Sequence, residues 1–311
     1  MKVAIAGATG FVGSRLVARL QQDGTEVVVL SRRPEQARRL FPTSAFSKVS
    51  VVGYDPMQSG DWQQSISGCT GVVNLAGTPI ADSRWTPQYK QSILESRQVT
   101  TAKLVEAIDR ASDKPSAFVN ASAVGYYGTS ETATFDESST PGNDFLAQVC
   151  QTWEAEAQKV KAFGTRVAVL RFGIVLGPGG ALGKMLTPFR FFAGGPIGSG
   201  RQWVSWVHRD DVVRLIVEAL SNPAFSGVYN ATAPNPVRMN TLCQVLGEVM
   251  ERPSWLPVPE FALELLLGEG AMVVLKGQQV LPKQTLAEGF EYRYPTIKPA
   301  LEEALAEFDD R

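Results

Sequence analysis

The sequence predicts an α/β protein, with a doubly wound parallel sheet and a smaller, irregular C-terminal lobe. Three observations predict it. Short continuous apolar runs alternate with helix-length amphipathic stretches through the first half, the pattern of strands buried on both faces of a parallel sheet. A glycine-rich turn, Gly7-Ala8-Thr9-Gly10-Phe11-Val12-Gly13, joins the first apolar run to the first helical pattern. From Ala233 onward prolines become frequent and the alternation lapses, as in an irregular lobe.

The elements follow in order. Val3–Ala6 is a predicted strand. Phe11–Gln22 is a predicted helix, because Phe11/Val12, Leu16/Val17 and Leu20 recur at helical spacing. Val27–Leu30, Val49–Val52, Val72–Leu75, Ala117–Asn120 and Val167–Leu170 are further predicted strands, and Ser96–Ala111 and Phe145–Ala162 further predicted helices. Right-handed crossovers between such strands give a Rossmann sheet. Past Arg171, the glycines of 177–180 and 194–200 predict loops, Arg209–Leu220 a helix and Val228–Asn230 a strand. Helices are predicted at Thr241–Met250, Glu260–Leu267 and Pro299–Phe308. The Rossmann domain is therefore expected at residues 1–176 plus 203–232, and the C-terminal substrate lobe at 177–202 and 233–311.

The chain has 311 residues, 44% of them hydrophobic, with a net charge of −1. That balance gives no reason to expect a nucleic-acid or anionic-membrane partner. The three cysteines, Cys69, Cys150 and Cys243, are far apart and odd in number, which predicts free thiols, a reducing compartment and no metal site. No signal-peptide pattern opens the chain, and Phe261–Leu267 is too short to span a membrane. The expectation is a cytoplasmic protein acting on a small molecule, as a monomer or a homodimer.

A strand–glycine turn–helix unit suits a dinucleotide pyrophosphate, held by unpaired N–H groups at the helix N-terminus. Gly7 permits the turn, Gly10 lets the backbone approach the pyrophosphate, and Gly13 lets the helix pack on the sheet. The second strand ends in Ser31-Arg32-Arg33 instead of an acid. Guanidinium groups there can grip a ribose 2′-phosphate bidentately, favouring NADP over NAD. Asp55 admits two readings, an acceptor for the adenine amino group or a turn former before Pro56. In Asn74-Leu75-Ala76-Gly77 the small residues let the backbone pass beside the adenine ribose and pyrophosphate.

GATGFVG at Gly7–Gly13, NLAG at Asn74–Gly77, SAVGYYG at Ser122–Gly128, RFGIVLGP at Arg171–Pro178 and WVHRDD at Trp206–Asp211 resemble the extended short-chain dehydrogenase/reductase superfamily. The resemblance narrows with Asp82–Thr86, Ser96–Thr100, Phe145–Ala157, Gly198–Asp211 and Leu256–Ala271. These stretches are similar to the epimerase-family proteins of group 39U, which join an NAD-dependent epimerase/dehydratase portion to a C-terminal domain of the DUF1731 kind. Such proteins carry labels of sugar-nucleotide epimerase or cell-division inhibitor. The resemblance implies that Gly7, Thr9, Gly10, Phe11, Val12 and Gly13 face the pyrophosphate. It puts Ser31, Arg32 and Arg33 at the 2′-phosphate, and Leu75, Ala76 and Gly77 on the ribose side. Ala121 and Ser122 would lie near the nicotinamide ribose, and Phe172, Gly173 and Val175 near the carboxamide.

Members of that superfamily ordinarily transfer hydride with a Tyr-x-x-x-Lys pair one helical turn apart. Here Leu146 falls at the tyrosine position and Cys150 at the lysine position, and neither can do that work. Ser122 falls at the family's Ser/Thr position, and Tyr126 and Tyr127 on the same loop are candidate replacements for the tyrosine or loop aromatics packed on the sheet edge. His208, the sole histidine, is either a general base or a structural imidazole ahead of a helix begun by Asp210-Asp211. Arg84-Trp85 and Gln202-Trp203 line a pocket or pack a lobe interface. Two functions fit. One is an NADP-dependent oxidoreductase or epimerase-like enzyme with an atypical acid/base group. The other is a non-catalytic NADPH-binding sensor or regulator, in cell division for example, acting through a partner. Sugar-nucleotide epimerisation itself ranks lower, since it uses the same missing tyrosine.

Overall fold

The seven apolar runs read as strands all join a single parallel sheet in the computed structural model, which describes residues 1–309. They are β1 (Lys2–Ala6), β2 (Glu26–Ser31), β3 (Val49–Gly53), β4 (Gly71–Asn74), β5 (Ala117–Ala123), β7 (Arg166–Phe172) and β11 (Gly227–Ala231). A two-residue β6 (Thr134–Phe135) pairs with β13 (Gln279–Val280), β8 (Ile174–Leu176) with β10 (Trp206–His208), and β9 (Trp203–Val204) with β12 (Val237–Arg238). The large sheet runs β11-β7-β5-β4-β1-β2-β3. The chain therefore winds outward from β1 to β3, then restarts on the other side at β4. The crevice above β1 and β4 is the switch point where open α/β sheets bind ligands.

Strand residues alternate between two cores. Val3, Ile5, Val27, Val29, Val73 and Leu170 face α1 (Phe11–Gln22) and α6 (Arg209–Ser221). Ala4, Ala6, Val28, Leu30, Val72 and Phe118 face α3 (Pro87–Arg110). Each fully buried Val, Leu or Ile contributes about 1.5–3 kcal/mol, so sliding one strand by a residue would exchange the two sets and is strongly disfavoured.

Helix boundaries shift where capping outweighs apolar spacing. α3 starts at Pro87, ahead of the Ser96 expected, because the Thr86 side chain accepts from Tyr89 N–H at 3.1 Å and Pro87 opens the first turn. α4 covers Phe145–Gln158, capped by Asp144, and tightens into a 3₁₀ turn at Lys159–Phe163. Four helices went unread. α2 (Pro34–Leu40), α9 (Met272–Leu275) and α10 (Lys283–Ala287) are short, and α5 (Gly180–Arg190) holds Gly183 and Pro188, poor helix formers. α5 forms because Leu182, Leu186 and Phe189 bury one apolar stripe.

That stripe belongs to a third core, shared with α7 (Met239–Met250) and α11 (Ile297–Asp309). Val204 and Trp206, expected with the Rossmann portion, pack in this core too. α8 (Glu260–Leu267), α9 (Met272–Leu275) and α10 (Lys283–Ala287) complete the helices named here. Among the described residues the three cysteines are free and buried, and no helix is long and apolar enough to cross a membrane.

Candidate cofactor site

The turn after β1 is built by two glycines doing different work from a third. Gly7 has φ +81°, and a Cβ on it would stand 2.6 Å from the Leu75 carbonyl carbon. A Cβ on Gly13 would stand 2.2 Å from Gly7 O, so only glycine lets α1 press onto the turn. At Gly10 a Cβ would meet Gly7 O alone, at 3.2 Å; beyond it the space is open. The first helical hydrogen bond runs from Ser14 N–H to Gly10 O at 2.9 Å. The N–H groups of Phe11, Val12 and Gly13 therefore precede the helix ladder, and α1 has neither a side-chain cap nor an acid in its first turn. This is an anion seat with no anion of the protein's own.

A cavity of about 680 Å³ opens in front of it, at the switch point. Its wall includes Gly7, Thr9, Gly10, Ser31, Arg32, Arg33, Asp55, Leu75, Ala76 and Gly77, which the sequence had nominated. Arg33 N–H donates to Ser31 Oγ at 3.1 Å, fixing the turn beyond β2. The guanidinium groups of Arg32 and Arg33 are exposed and, within residues 1–309, make no ion pair or hydrogen bond. Asp55 lines the cavity while its Oδ1 accepts from Met57 N–H at 2.9 Å, so the turn-forming role is real and leaves a carboxylate oxygen at the wall. Asn74 shapes the β4 end: its Nδ2 donates to Thr101 Oγ1 and Asn120 Oδ1, and its Oδ1 accepts from Ala76 N–H.

The wall also holds Leu30, Gln36, Tyr54, Pro56, Met57 and Thr78, with Ser92, Glu95, Ser96 and Thr100 from α3. The α3 residues are a polar stripe at i, i+3, i+4 and i+8, a legible signal once the helix is known to begin at Pro87.

Phe11, Val12, Gly13, Ala121, Ser122, Phe172, Gly173 and Val175 are not on this wall. The Phe11 ring packs against the Gly177–Gly180 turn, with the Arg209 guanidinium 5.3 Å from its centroid. Val12, Phe172 and Val175 are half-buried against the sheet core, and Ala121 is buried within β5. Gly173 is required by the protein itself, since a Cβ there would lie 2.5 Å from Ser205 O.

Two of the three catalytic candidates make internal hydrogen bonds. Ser122 Oγ donates to Glu154 Oε1 at 2.6 Å in the interior. Tyr127 Oη donates to Asn230 at 2.7 Å and accepts from Arg171 at 2.9 Å, and burial pushes its pKa up to about 12. Tyr126 differs: it is half-exposed, its ring covers the Arg171 guanidinium at 3.3 Å, and its hydroxyl has no protein partner among the described residues. On α4, Leu146 is half-buried and burial, reinforced by Glu154, pushes the Cys150 thiol up to about 11, so it stays neutral.

The other polar candidates are structural. His208 is buried, caps α6 by accepting from Asp210 N–H at 3.2 Å, and is depressed to about 4 by burial. Asp210 pairs with Arg15, and Asp211 accepts from the Arg293 and Tyr294 N–H groups. Trp85 is buried, donating to Ile80 O and meeting Phe145 edge-on, while Arg84 donates to Leu265 O. Gln202 ties Ile197 O to Val274 O, and Trp203 donates to Glu131 O. No group of three or more potential metal ligands occurs among the described residues.

Residues 3–232 match the NAD dependent epimerase/dehydratase family, and residues 258–304 a domain of unknown function, DUF1731. The chain is 51% identical over 304 residues to the chloroplastic epimerase family protein SDR39U1 homolog of Arabidopsis thaliana, covering 97% of this chain and 86% of that protein. It is 40% identical to epimerase family protein YfhF of Bacillus subtilis, covering 99% of each. The crystal structure of human epimerase family protein SDR39U1 (isoform 2) with NADPH is 35% identical, with a TM-score of 0.88 over 98% of this chain and 99% of that one. UDP-glucuronic acid 4-epimerase of Bacillus cereus, with UDP-glucuronic acid and NAD, is 18% identical at TM-score 0.81 and shares the fold.

Proposed function

The chain belongs to the NAD-dependent epimerase/dehydratase family, and on that premise we propose that it binds NADP(H) in preference to NAD(H) and acts as an atypical oxidoreductase or epimerase-like enzyme on a small polar substrate. The observation that carries this reading is the pairing of an uncapped α1 N-terminus with two unpaired arginines beyond β2, on one cavity. The human relative's structure with NADPH supports it; the distant relative with NAD shares only the fold.

When bound, NADP(H) would supply the hydride. The α1 N-terminus reached past Gly10 would hold its pyrophosphate, Arg32 and Arg33 its 2′-phosphate, and Leu75–Gly77 its ribose side. Proton transfer would fall to Tyr126, which is not on the cavity wall but is the candidate whose hydroxyl has no protein partner among the described residues, with Arg171 beneath its ring fixing the ring plane. The test is titration with NADPH and NADH, followed by NADPH oxidation against a panel of carbonyl metabolites. Tighter NADPH binding and a turnover lost in Tyr126→Phe support the reading; equal affinity for both nucleotides overturns the cofactor preference.

A second reading rests on a specific observation: the helix that would carry the proton-transfer pair presents Leu146 and a neutral Cys150. The protein then binds NADPH without turning it over and signals redox state to a partner. Tight NADPH binding with no oxidation across the panel, and a co-purifying protein released by NADPH, distinguish it.

A further inference from the structure

Among the described residues Arg97 has no counterion. It lies on α3, with Cζ 5.1 Å from the Trp153 ring centroid on α4. Its Nη1 donates to Thr78 O at 3.0 Å and Ile93 O at 3.1 Å. Its Nε and Nη2 donate to nothing among the described residues, yet neither is sealed from solvent. Burial pulls its pKa below the usual value, and no carboxylate offsets that.

Arg97 lies against Gly77. A Cβ on Gly77 would lie 3.1 Å from Cζ, 3.2 Å from Nη2 and 3.3 Å from Nη1. The guanidinium thus presses on the backbone of a cavity-wall residue. The Trp153 contact puts the guanidinium on α4 within one turn of Cys150. A positive charge from α3 thus lies near the α4 position that holds no positive charge of its own. Burying a cation with no partner is unfavourable, and two unused donors on a side chain that is not itself on the cavity wall but lies against Gly77, which is, show where an acceptor can complete the site.

We propose that Arg97 is a cofactor-holding cation, whose Nε and Nη2 donors take an oxygen of the nicotinamide-side phosphate or nicotinamide ribose of NADP(H). This rests on the NADP(H) reading above. Charge-assisted hydrogen bonds of this kind are worth about 1.5–3 kcal/mol, or about 10- to 100-fold in affinity.

The experiment compares NADPH with 2′,5′-ADP, which keeps the adenosine-side phosphate but lacks the nicotinamide-side phosphate and the nicotinamide ribose, by calorimetry on wild type, Arg97→Gln, Arg97→Met and Arg97→Lys. Expected is a loss of about 10- to 100-fold for NADPH in the Gln and Met variants, no matching loss for 2′,5′-ADP, and partial recovery with lysine. Melting curves of the free proteins identify folded variants, and methionine conserves much of the packed volume if glutamine does not. A folded variant with unchanged NADPH affinity, or equal losses for both ligands, overturns the assignment. Failure of wild type to bind NADPH at all overturns the cofactor reading instead.

Discussion

Arg171 meets Glu154 through two parallel hydrogen bonds, Nε to Oε1 and Nη2 to Oε2, each 2.8 Å long and buried between β7 and α4. Ser122 adds a third contact to the same carboxylate, and Tyr127 continues the network to Asn230. A sealed ion pair is held by the cost of leaving either partner alone. Glu154→Gln is therefore expected to lower unfolding stability by about 3–5 kcal/mol, and Ser122→Ala by about 1 kcal/mol, measured by urea denaturation. If Ser122→Ala left stability intact while abolishing a turnover, Ser122 would be catalytic after all.

The two arginines beyond β2 give the second prediction. Arg32→Ala is expected to cut the NADPH-to-NADH affinity ratio by about tenfold or more, the scale of one charge-assisted hydrogen bond. Fluorescence titration with both nucleotides measures it. An unchanged ratio would return Arg32 to the solvated surface.

Gly10 and Gly13 separate binding from folding. A Cβ on Gly10 grazes one oxygen at 3.2 Å, whereas one on Gly13 would overlap Gly7 O at 2.2 Å. Gly10→Ala should fold within about 1 kcal/mol of wild type and lose NADPH affinity on the order of tenfold, as the seat for the pyrophosphate narrows. Gly13→Ala should lose about 3 kcal/mol or more. Thermal melts with and without NADPH distinguish the two; the reverse pattern would mean that Gly10 holds the fold and Gly13 the ligand.

His208 sets a pH dependence. Its folded value of about 4 lies below the unfolded 6.5, so between these pH values the unfolded chain binds the extra proton. Stability therefore rises with pH across that window, and about 3 kcal/mol is lost as pH falls from 6.5 to 4. His208→Asn keeps a capping acceptor and removes the titrating group. Urea unfolding at several pH values should show a shallower slope for the variant, and an identical slope in both proteins counts against His208 as its source.

The sequence by itself determined the sheet, the glycine turn, the basic end of β2 and the presence of Leu146 and Cys150 on α4. Each is local: a strand buried on both faces must be apolar throughout, and a turn that approaches itself at Gly7 and Gly13 admits only glycine. Tertiary structure decided what spacing along the chain cannot express. It committed Ser122 and Tyr127 to an internal ion-pair network, assigned Gly173 to a strand crossing, and made His208 a helix cap. It also brought Arg97 from α3 beside Gly77 of the β4 end and near Cys150 of α4, residues 20 and 53 positions away in the chain. Which polar group is spent inside the fold, and which is left with a free donor near the cavity, depends on who its neighbours are in space.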